Sequence, residues 1–492
     1  MAVYEVGYNL PDSILFRGLR KMPQHETILR RQCLRILTGS TLAVTTGMAF
    51  TNRTSGTSLR LVQDTVSQTT TETDKFRDWP DFLGPSRDGC SPVKISQRDW
   101  SSGNLLLRWK HPLGEGYAMG SLLEQHFFQT YKKAGNEILD CLDLQTGKIH
   151  WSQQRPSQYR DLYGYDSGPR CSPVLADGMI YQYGVDGVLL CRQASDGSLV
   201  WQRDLNADYQ VVQNFFGVGS TPLLHQDKLL VMVGGSPKEN LKLPPGALDR
   251  VVPNGTAIVA LDRKTGDELF RVGDDLASYS SPVLGQFQTD LIGLAFCRGG
   301  LLGFNPDDGT QLFHYPHRSS KLESVNAATP IVGSDQVLIS ETYGVGSALL
   351  QFDPSTKQCN AVWKDDPESR EQSLQAHWNT PVRLGDYVYA SSGRHSGNAE
   401  LRCVRWRDGK VQWSQPGLQR CSLTLAGEDL VVVGERGELH LIKANPEKFE
   451  LVTTHSFPAG ERSMRYPAWA AAIVVDGSLL VRDAEHLYCF DI

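Results

Sequence analysis

The chain has 492 residues and a formal net charge of −6, with 49 Lys and Arg against 55 Asp and Glu. Nucleic-acid-binding proteins usually carry a basic domain or stripe, whereas these cations are scattered among a slight excess of acids. The composition therefore argues against a nucleic-acid partner. No stretch reaches the roughly 18 uninterrupted apolar residues of a membrane-spanning helix, so we expect no transmembrane segment in the mature chain.

The N-terminal region has the order of a secretory signal. Arg30, Arg31 and Arg35 precede an apolar stretch, residues 36–49, that ends in small residues, as signal peptidase requires. The paired arginines also resemble a twin-arginine signal; the alternative is a short amphipathic segment. We expect residues 1–49 to direct export to the periplasm or cell envelope by the Sec or twin-arginine route. Residues 50–75, rich in Thr, Ser and Gln, are expected to form a disordered linker, followed by an N-terminal arm over residues 76–103.

The most informative feature is a repeat that joins a short strand, a turn and an aromatic residue ten positions from its start. Residues 141–151 (CLDLQTGKIHW) are the clearest copy. Thr-Gly and Asp-Gly supply the positive-φ residue of a tight turn, so each copy predicts an antiparallel hairpin. The predicted structural aromatics of the repeats are Trp109, Trp151, Trp201, Phe270, Phe313, Trp363 and Trp413.

A second pair of strands is predicted upstream of each hairpin, opened in most copies by a Ser/Thr-Pro start. Successive aromatics lie 42 to 69 residues apart, as in a propeller rather than a helical array. The sequence predicts an all-β, eight-bladed β-propeller of four-stranded antiparallel blades over residues 104–492. The eight predicted inner-strand starts are Ser121, Ser172, Thr221, Ser281, Thr329, Thr380, Ser422 and Tyr466.

The two ends of the repeat region are incomplete in complementary ways. The last unit ends after its third strand, while residues 105–111 around Trp109 resemble a lone fourth strand. We expect this N-terminal strand to complete the last blade, because closure removes the exposed edges that promote aggregation. The closed ring is predicted to be monomeric.

The unit at residues 141–151 resembles the tryptophan-docking repeat of quinoprotein propellers, named for pyrroloquinoline quinone (PQQ). That superfamily has eight four-stranded blades, and it includes dehydrogenases and the non-catalytic propeller subunit of the outer-membrane β-barrel assembly machinery. Residues 78–89 (DWPDFLGPSRDG) and 378–413 also resemble exported members from planctomycete-type bacteria. The repeat itself concerns the fold and says nothing of cofactor binding.

The resemblance implies what an enzyme of this type would need. A quinoprotein alcohol dehydrogenase holds PQQ between a Trp and a disulfide of adjacent cysteines, above Ca²⁺ and a catalytic Asp. This sequence has no adjacent cysteine pair, and its Asp residues fall mostly in turns that favour them anyway. We therefore predict no resident cofactor, no metal site and no catalytic residue; PQQ with calcium belongs to the alternative hypothesis.

A candidate binding site is predicted at the funnel, the face where loops enter the inner strands. Loops at residues 152–170 and 202–219 are long and aromatic, which is typical of partner surfaces; an insertion at residues 236–254 is expected to be a surface loop. Arginines and aromatics could bind a carboxylate, phosphate or planar ligand, or could instead cap the funnel by bonding neighbouring loops. The positions two before the inner-strand starts are Met119, Arg170, Gly219, Tyr279, Ala327, Trp378, Arg420 and Met464.

From this ring we select Arg170, Tyr279, Trp378 and Arg420, with the adjacent His377, as the predicted ligand-binding residues. The favoured function is an exported, non-catalytic scaffold that binds a protein or small ligand at the funnel face. The alternative is a diverged PQQ-dependent oxidoreductase.

Overall fold

The computed structural model describes residues 78–101, 103–455 and 464–492, which lie within one compact unit, Gln68–Ile492. The predicted export signal and linker, residues 1–75, lie outside the described residues. In the described ranges the regular structure is almost entirely β, with a single four-residue α-helix, α1 (Leu205–Asp208), and 3₁₀ turns at Lys238–Lys242 and Leu248–Arg250.

Two strands precede the first blade, β1 (Cys90–Ser91) and β2 (Leu107–Pro112). Blades 1 and 2 contain β3 (Ser121–Leu123), β4 (His126–Lys133), β5 (Asn136–Asp143), β6 (Ile149–Pro156), β7 (Val174–Ala176), β8 (Met179–Tyr183), β9 (Val188–Gln193) and β10 (Leu199–Asp204). Blades 3 and 4 contain β11 (Leu223–His225), β12 (Lys228–Met232), β13 (Ile258–Asp262), β14 (Glu268–Val272), β15 (Val283–Phe287), β16 (Asp290–Phe296), β17 (Gly300–Phe304) and β18 (Gln311–Pro316).

Blades 5 and 6 contain β19 (Ile331–Val332), β20 (Gln336–Glu341), β21 (Gly346–Asp353), β22 (Gln358–Lys364), β23 (Val382–Leu384), β24 (Tyr387–Ser392), β25 (Glu400–Arg405) and β26 (Val411–Pro416). Blades 7 and 8 contain β27 (Cys421–Ala426), β28 (Asp429–Gly434), β29 (Leu439–Lys443), β30 (Leu451–His455), β31 (Ile473–Val475), β32 (Ser478–Arg482) and β33 (His486–Asp491), and β2 is the fourth strand of blade 8.

The predicted eight-bladed propeller and its closure are both confirmed. The four strands of each blade are antiparallel, and in blades 1 to 7 they run in chain order from the innermost to the outermost strand. Blade 8 has only three strands of its own, and β2 pairs antiparallel with β33, with Trp109 opposite Cys489. The first and last parts of the ring are therefore joined by main-chain hydrogen bonds.

Neighbouring blades are fastened by the repeat tryptophans. Each indole lies against the turn between the third and fourth strands of the next blade, and its N–H donates to a carbonyl oxygen of that turn at 2.7–3.2 Å. Phe270 and Phe313 keep the ring but have no N–H to donate; Phe313 packs on Phe352 instead. The donor and acceptor pairs are Trp109 with Leu144, Trp151 with Ala194, Trp201 with Arg263, Trp363 with Trp406, and Trp413 with Asn445.

The glycine of the turn is needed for two reasons at once. Gly147 has a φ of 66°, which L side chains rarely adopt, and a Cβ there would lie 2.7 Å from the Trp109 ring. Gly409 repeats the arrangement with a φ of 70° and a Cβ position 2.9 Å from the Trp363 ring. The Thr-Gly and Asp-Gly signature therefore marks the surface on which the preceding blade docks, as well as a turn.

The Ser/Thr-Pro starts form a second set of links, close to the axis. In blades 2 to 5 the backbone N–H of the start donates to the hydroxyl of the next blade's start, from Ser172 to Thr221 (3.3 Å), then to Ser281 (2.9 Å). The series continues to Thr329 (3.3 Å) and Thr380 (3.1 Å). This series of hydroxyls explains why the motif recurs in these blades, because each hydroxyl satisfies an N–H close to the axis.

The N-terminal arm occupies the central channel. Trp79 forms an isolated bridge with Leu122 of β3, and Arg87 donates to the carbonyl oxygen of Pro222 at 2.9 Å, just before β11. β1 adds in parallel to the channel-facing edge of β27. The arm enters beside Glu124 and leaves beside Gly427, both at hairpin turns on the face opposite the funnel. Residues 78–91 therefore form a loop inserted into the channel from that face.

The arm also supplies an aromatic residue that one repeat lacks. In blade 7 the repeat-aromatic position is Thr453, opposite Leu441. Trp100 is fully buried in the core between blades 7 and 8, and its backbone N–H donates to Thr453 Oγ1 at 3.0 Å, while its indole N–H donates to the carbonyl oxygen of Gln97. A residue distant in sequence therefore fills the gap left by the degenerate repeat.

We expect Trp413→Ala to lower the free energy of unfolding by about 3 kcal/mol, the low end for a large aromatic, because the indole is half-buried. Trp413→Phe keeps the ring and loses the hydrogen bond to Asn445, so it should cost about 1 kcal/mol. Urea denaturation followed by circular dichroism measures both. The exposed Lys410→Ala serves as control, and a loss below about 1 kcal/mol for Trp413→Ala would show that docking does not hold the blades.

Deleting residues 105–111 removes most of β2 and leaves β33 with an unpaired edge. We expect this variant to aggregate, because an open sheet edge is a template for pairing with another chain. Size-exclusion chromatography with light scattering measures the outcome. A deletion variant that stayed monomeric, with an unchanged melting temperature, would refute ring closure by this strand.

Candidate functional site

Eight residues, each two positions before an inner-strand start, were predicted to surround the funnel, and the structure replaces two of them. The first replacement is in blade 1. Ser121 pairs with Phe128, which lies opposite the repeat residue Cys141. It thus corresponds to Val174 of blade 2 rather than to the Ser/Thr-Pro serine. The residue that faces the funnel is therefore Tyr117, and the prediction of Met119 is wrong.

The second correction concerns blade 8. Ile473 pairs with Leu480, which lies opposite the repeat residue Cys489, so the inner strand begins after Ala472. Tyr466-Pro467 lies well upstream of the strand and is not its start. The ring position is therefore Trp469, and the prediction of Met464 is wrong.

With this register, one side of the funnel carries a continuous belt of rings and guanidinium groups. The Arg170 guanidinium lies 5.3 Å from the centre of the Tyr117 ring, whose centre lies 4.7 Å from that of Trp469. Trp469 lies 4.6 Å from Trp378, and the Arg420 guanidinium lies 4.5 Å above Trp378. These five residues are called the belt below. Three of them were predicted, and the structure connects them through Tyr117 and Trp469.

Tyr279 lies on the other side of the funnel and reaches the belt through Phe216. The backbone N–H of Phe216 donates to the Tyr279 hydroxyl at 2.8 Å, and the two ring centres lie 5.6 Å apart. The Arg170 guanidinium lies 6.0 Å from the Phe216 ring. The structure therefore connects Tyr279 to Arg170 through Phe216. Phe216 lies in a loop and not two positions before an inner strand, so the sequence pattern could not select it.

Arg170 is already bonded to its own loop. It donates to the carbonyl oxygens of Gly168 and Asp166, both at 3.0 Å, and forms an ion pair with the buried Asp161 at 3.4 Å. The Arg170 side chain is only 10% exposed. These contacts support the alternative stated above, in which the arginine caps the funnel by bonding neighbouring loops.

Arg420 is paired in the same way. It donates twice to one carboxylate oxygen of Glu435, at 2.6 and 3.0 Å, and this carboxylate also accepts from the Trp469 indole at 3.3 Å. Burial alone would raise the pKa of Glu435, but the hydrogen bonds and charge of Arg420 outweigh it and hold that pKa below its usual value. The pair is therefore ionised at neutral pH and its charges cancel.

His377 lies beside the belt, with its ring centre 4.6 Å from that of Trp378 and 5.8 Å from that of Tyr343. Burial, together with the charges of Arg420 and Arg394, lowers the pKa of His377 to about 3. The imidazole is therefore neutral at physiological pH, and it contributes ring contacts rather than charge.

The loops above blades 3 to 5 form a small hydrophobic core of their own. The insertion at residues 236–254, expected to be a surface loop, contributes Leu248 and Val251 to this core. Asp249 within it accepts from Arg298 at 2.9 Å. This part of the funnel face is therefore packed and ordered. The core consists of Val212, Phe215, Leu248, Val251, Leu276, Val325 and Tyr343.

An exposed aromatic group lies at the edge of this loop core. Tyr163 is 53% exposed and Tyr165 is 70% exposed, with ring centres 6.2 Å apart. Phe216 lies beneath both, at 5.8 and 6.3 Å. These three residues are called the tyrosine cluster below. The neighbouring Leu162 is also exposed, so the loop presents a contiguous apolar surface to solvent.

The cofactor that the resemblance implies does not fit these residues. In residues 78–101, 103–455 and 464–492 the structure shows no group of three or more His, Cys, Asp or Glu placed to hold a metal ion. The nine cysteines in these ranges are all free thiols, and none is adjacent to another. The two arginines that could meet quinone carboxylates are engaged by Asp161 and Glu435. These residues therefore do not form the PQQ site that the resemblance implies.

Comparison with known families identifies the family to which the chain belongs. A PQQ-like family model described as outer membrane protein assembly factor BamB matches residues 134–415, more than half of the sequence. The chain belongs to this family. The match spans the third strand of blade 1 to the fourth strand of blade 6 of this BamB-type propeller. No curated protein sequence matches the chain.

Solved structures with the same fold include BamB and two dehydrogenases. BamB from Moraxella catarrhalis aligns with a TM-score of 0.51 at 14% identity, over 79% of this chain and 98% of that one. Quinohemoprotein alcohol dehydrogenase from Comamonas testosteroni aligns with a TM-score of 0.57 at 13% identity, over 85% and 81%. A europium-containing methanol dehydrogenase aligns with a TM-score of 0.60 at 11% identity, over 85% and 98%. At these identities the likeness concerns the fold alone.

Within the part of the chain that the structure describes, no helix is long and apolar enough to cross a membrane.

The Arg420–Glu435 pair gives a stability prediction with a defined sign. Arg420→Met leaves a buried carboxylate unpaired and should lower the free energy of unfolding by about 3 kcal/mol, whereas Arg420→Met with Glu435→Gln should cost less. Because the folded pKa of Glu435 is lowered, the pair stabilises the fold above the unfolded pKa of about 4.3 and loses this effect as the pH falls through the folded value.

Urea denaturation from pH 7 to pH 3 tests this prediction. The stability gap between the wild type and the double variant should shrink on acidification. A gap that stayed constant over this range would contradict the assignment of an ionised pair.

Proposed function

We propose that this BamB-type propeller is an exported, non-catalytic scaffold that binds a protein partner through its funnel face. The observation that carries the proposal is the exposed tyrosine cluster, which lies on a packed loop core at the funnel face, opposite the face from which the arm enters. Aromatic side chains concentrate at the centres of protein interfaces, because they bury a large area at a low entropic cost.

The electrostatics of the funnel support a protein partner over a small anion. Arg170 and Arg420 have their charges cancelled by Asp161 and Glu435. An anionic ligand would have to displace these buried carboxylates, which is costly because they would be left unpaired. The belt arginines therefore offer little free charge to a ligand, and we assign recognition to the exposed groups around the belt.

Export is supported by the sequence and by the family. The signal-like residues 1–49 precede the propeller, and the family is described as an outer membrane protein assembly factor. A location in the periplasm or cell envelope follows from this proposal.

The second candidate is a dehydrogenase of the quinoprotein type. Its support is that two of the similar structures are, by their titles, an alcohol dehydrogenase and a methanol dehydrogenase. Fold alone does not choose between the two functions. The paired arginines, and the lack of a metal-ligand cluster among the described residues, favour the scaffold.

Tyr163→Ser with Tyr165→Ser should strongly weaken the interaction with the partner protein. We expect the purified wild-type propeller to retain one or more specific proteins from envelope extracts of the source cells, and the double variant to retain at least tenfold less, since exposed aromatics are the usual hot spots. Quantitative mass spectrometry measures retention. The matched control is Leu199→Ser, an exposed apolar residue on the outer rim of blade 2.

Two results would contradict the scaffold. In the first, the double variant and the wild type retain the same proteins. In the second, the wild type takes up PQQ with Ca²⁺ saturably and oxidises alcohols in a dye-linked assay. The second result would establish the dehydrogenase instead.

A further inference from the structure

A cavity of about 160 Å³ lies on the funnel face between blades 2 and 3. Its wall is formed by the turn between β8 and β9, the loop that leads to β11, the end of β12 and Tyr159 of the preceding loop. None of the three residues of the tyrosine cluster lines it, so the cavity is separate from the surface proposed for the partner protein. Apolar cavities of about this volume hold a molecule of the size of benzene.

Most of the wall is apolar, and its one charge is cancelled. Val185, Val218 and Met232 are among the residues that supply the apolar surface. Of the described residues in the wall, only Asp186 is ionised at neutral pH, and its two oxygens accept from Arg155 at 2.6 and 2.9 Å. A charged ligand would lose its hydration here without finding a free group of opposite charge. The cavity therefore favours an uncharged ligand with an apolar body.

Two hydroxyl groups of the wall have no hydrogen-bond partner among the described residues. Tyr159 is 7% exposed and Ser220 is 2% exposed, and the oxygen of each side chain is buried. Burial raises the pKa of Tyr159, so its hydroxyl stays protonated and can donate. Buried hydroxyls are normally hydrogen-bonded, so two unpaired ones at a single cavity indicate a ligand that accepts hydrogen bonds.

Asn206 adds an acceptor to the same wall. Its amide nitrogen donates to the carbonyl oxygen of Asp186 at 2.8 Å, which fixes the orientation of the amide. The Oδ1 atom of Asn206 is buried and has no partner in the part of the chain that the structure describes. The other amide and hydroxyl donors of the wall already bond to backbone carbonyl oxygens; they belong to Gln213, Asn214 and Ser278. The unpaired groups therefore suit a ligand that carries both a carbonyl oxygen and an N–H.

We propose that this cavity binds a small, uncharged carboxamide or lactam with an apolar body. The carbonyl oxygen of the ligand accepts from the hydroxyls of Tyr159 and Ser220, and its N–H donates to Oδ1 of Asn206. The apolar body lies against Val218 and Met232. Because both hydroxyls are shielded in the free protein, their side chains turn toward the cavity when the ligand enters. This site goes beyond the proposed protein-binding function and does not depend on it.

Methyl NMR on the purified propeller, with ¹³C-labelled methionine, tests the proposal. Met232 is the only methionine in the described wall, and Met232→Leu identifies its signal. The probe is benzamide. Four compounds of similar size serve as comparisons: acetophenone lacks the N–H, toluene lacks both polar groups, and benzoate and benzylammonium carry a charge. We expect the Met232 signal to shift saturably with benzamide, to titrate about fivefold more weakly with acetophenone and toluene, and not to respond to the two ions.

Variants show whether the two hydroxyls contact the ligand. Tyr159→Phe and Ser220→Ala each remove one hydroxyl and should weaken benzamide binding about threefold or more, while toluene binding stays the same because toluene makes no hydrogen bond. Neither change should lower the melting temperature of the free protein, since neither hydroxyl has a partner to lose among the described residues. Tyr163→Phe is the matched control, because it removes the hydroxyl of an exposed tyrosine from the same loop.

Three results would overturn the proposal. Equal binding of benzamide and toluene would show an apolar cavity that directs no hydrogen bond. Benzamide binding that is unchanged in both Tyr159→Phe and Ser220→Ala would place the ligand elsewhere. A Met232 signal that responds to none of the five compounds would show that the cavity takes up water alone. The double variant Tyr163→Ser with Tyr165→Ser should bind benzamide fully, so failure of this site and failure of protein capture are observed separately.

Discussion

The structure depends on one contact, repeated around the ring: the aromatic side chain of an outer strand resting on the turn of the next blade. A blade of four short strands cannot bury both faces by itself, so its stability comes from its neighbours. The indole contributes apolar area and, in five repeats, a hydrogen bond to a carbonyl oxygen. Each contact links one blade to the next. Blade 8 can therefore dock on blade 1 only when the ring is closed and Trp109 of β2 is in place.

The chain before blade 1 both closes the ring and fills the channel. β2 completes blade 8, Trp100 fills the place of the missing aromatic of blade 7, and the loop around Trp79 and Arg87 fills the channel. The funnel face lies at the opposite end of the channel from the face where this loop enters. On that face the long connections between blades are free to vary without disturbing the repeat contacts, which is where binding residues are expected.

The sequence predicted the parts of the fold that repeat, because a repeated contact leaves a repeated pattern. Hairpins, blade number and ring closure all followed from the spacing of the aromatics and glycines. The errors in the predicted funnel positions arose where the Ser/Thr-Pro pattern is absent from the strand start, or where a similar dipeptide occurs elsewhere. Ala471-Ala472 stands where other blades have Ser/Thr-Pro, and Tyr466-Pro467 imitated the motif, so Trp469 was missed. Tyr117 and Trp469 are found only when each inner strand is aligned through its pairing with the second strand, whose partner residue lies opposite the repeat cysteine.

Other features leave no local signal at all. Nothing near Arg420 in sequence announces that its partner is Glu435, and nothing around Trp100 shows that it packs beside Thr453. Such contacts depend on where loops meet in three dimensions. They nevertheless change the chemistry of the site, since two arginines that looked available for an anion are neutralised by carboxylates within the protein.

The central functional claim is that the tyrosine cluster is the surface a protein partner touches. The most direct measurement is site-specific photo-crosslinking in living cells, with Tyr163→p-benzoylphenylalanine in the full-length chain and the same amino acid at Ile149 on the outer rim. The account predicts a discrete crosslinked protein from position 163 and none from position 149. A chain that forms no adduct at 163, or the same adducts at both positions, would contradict it.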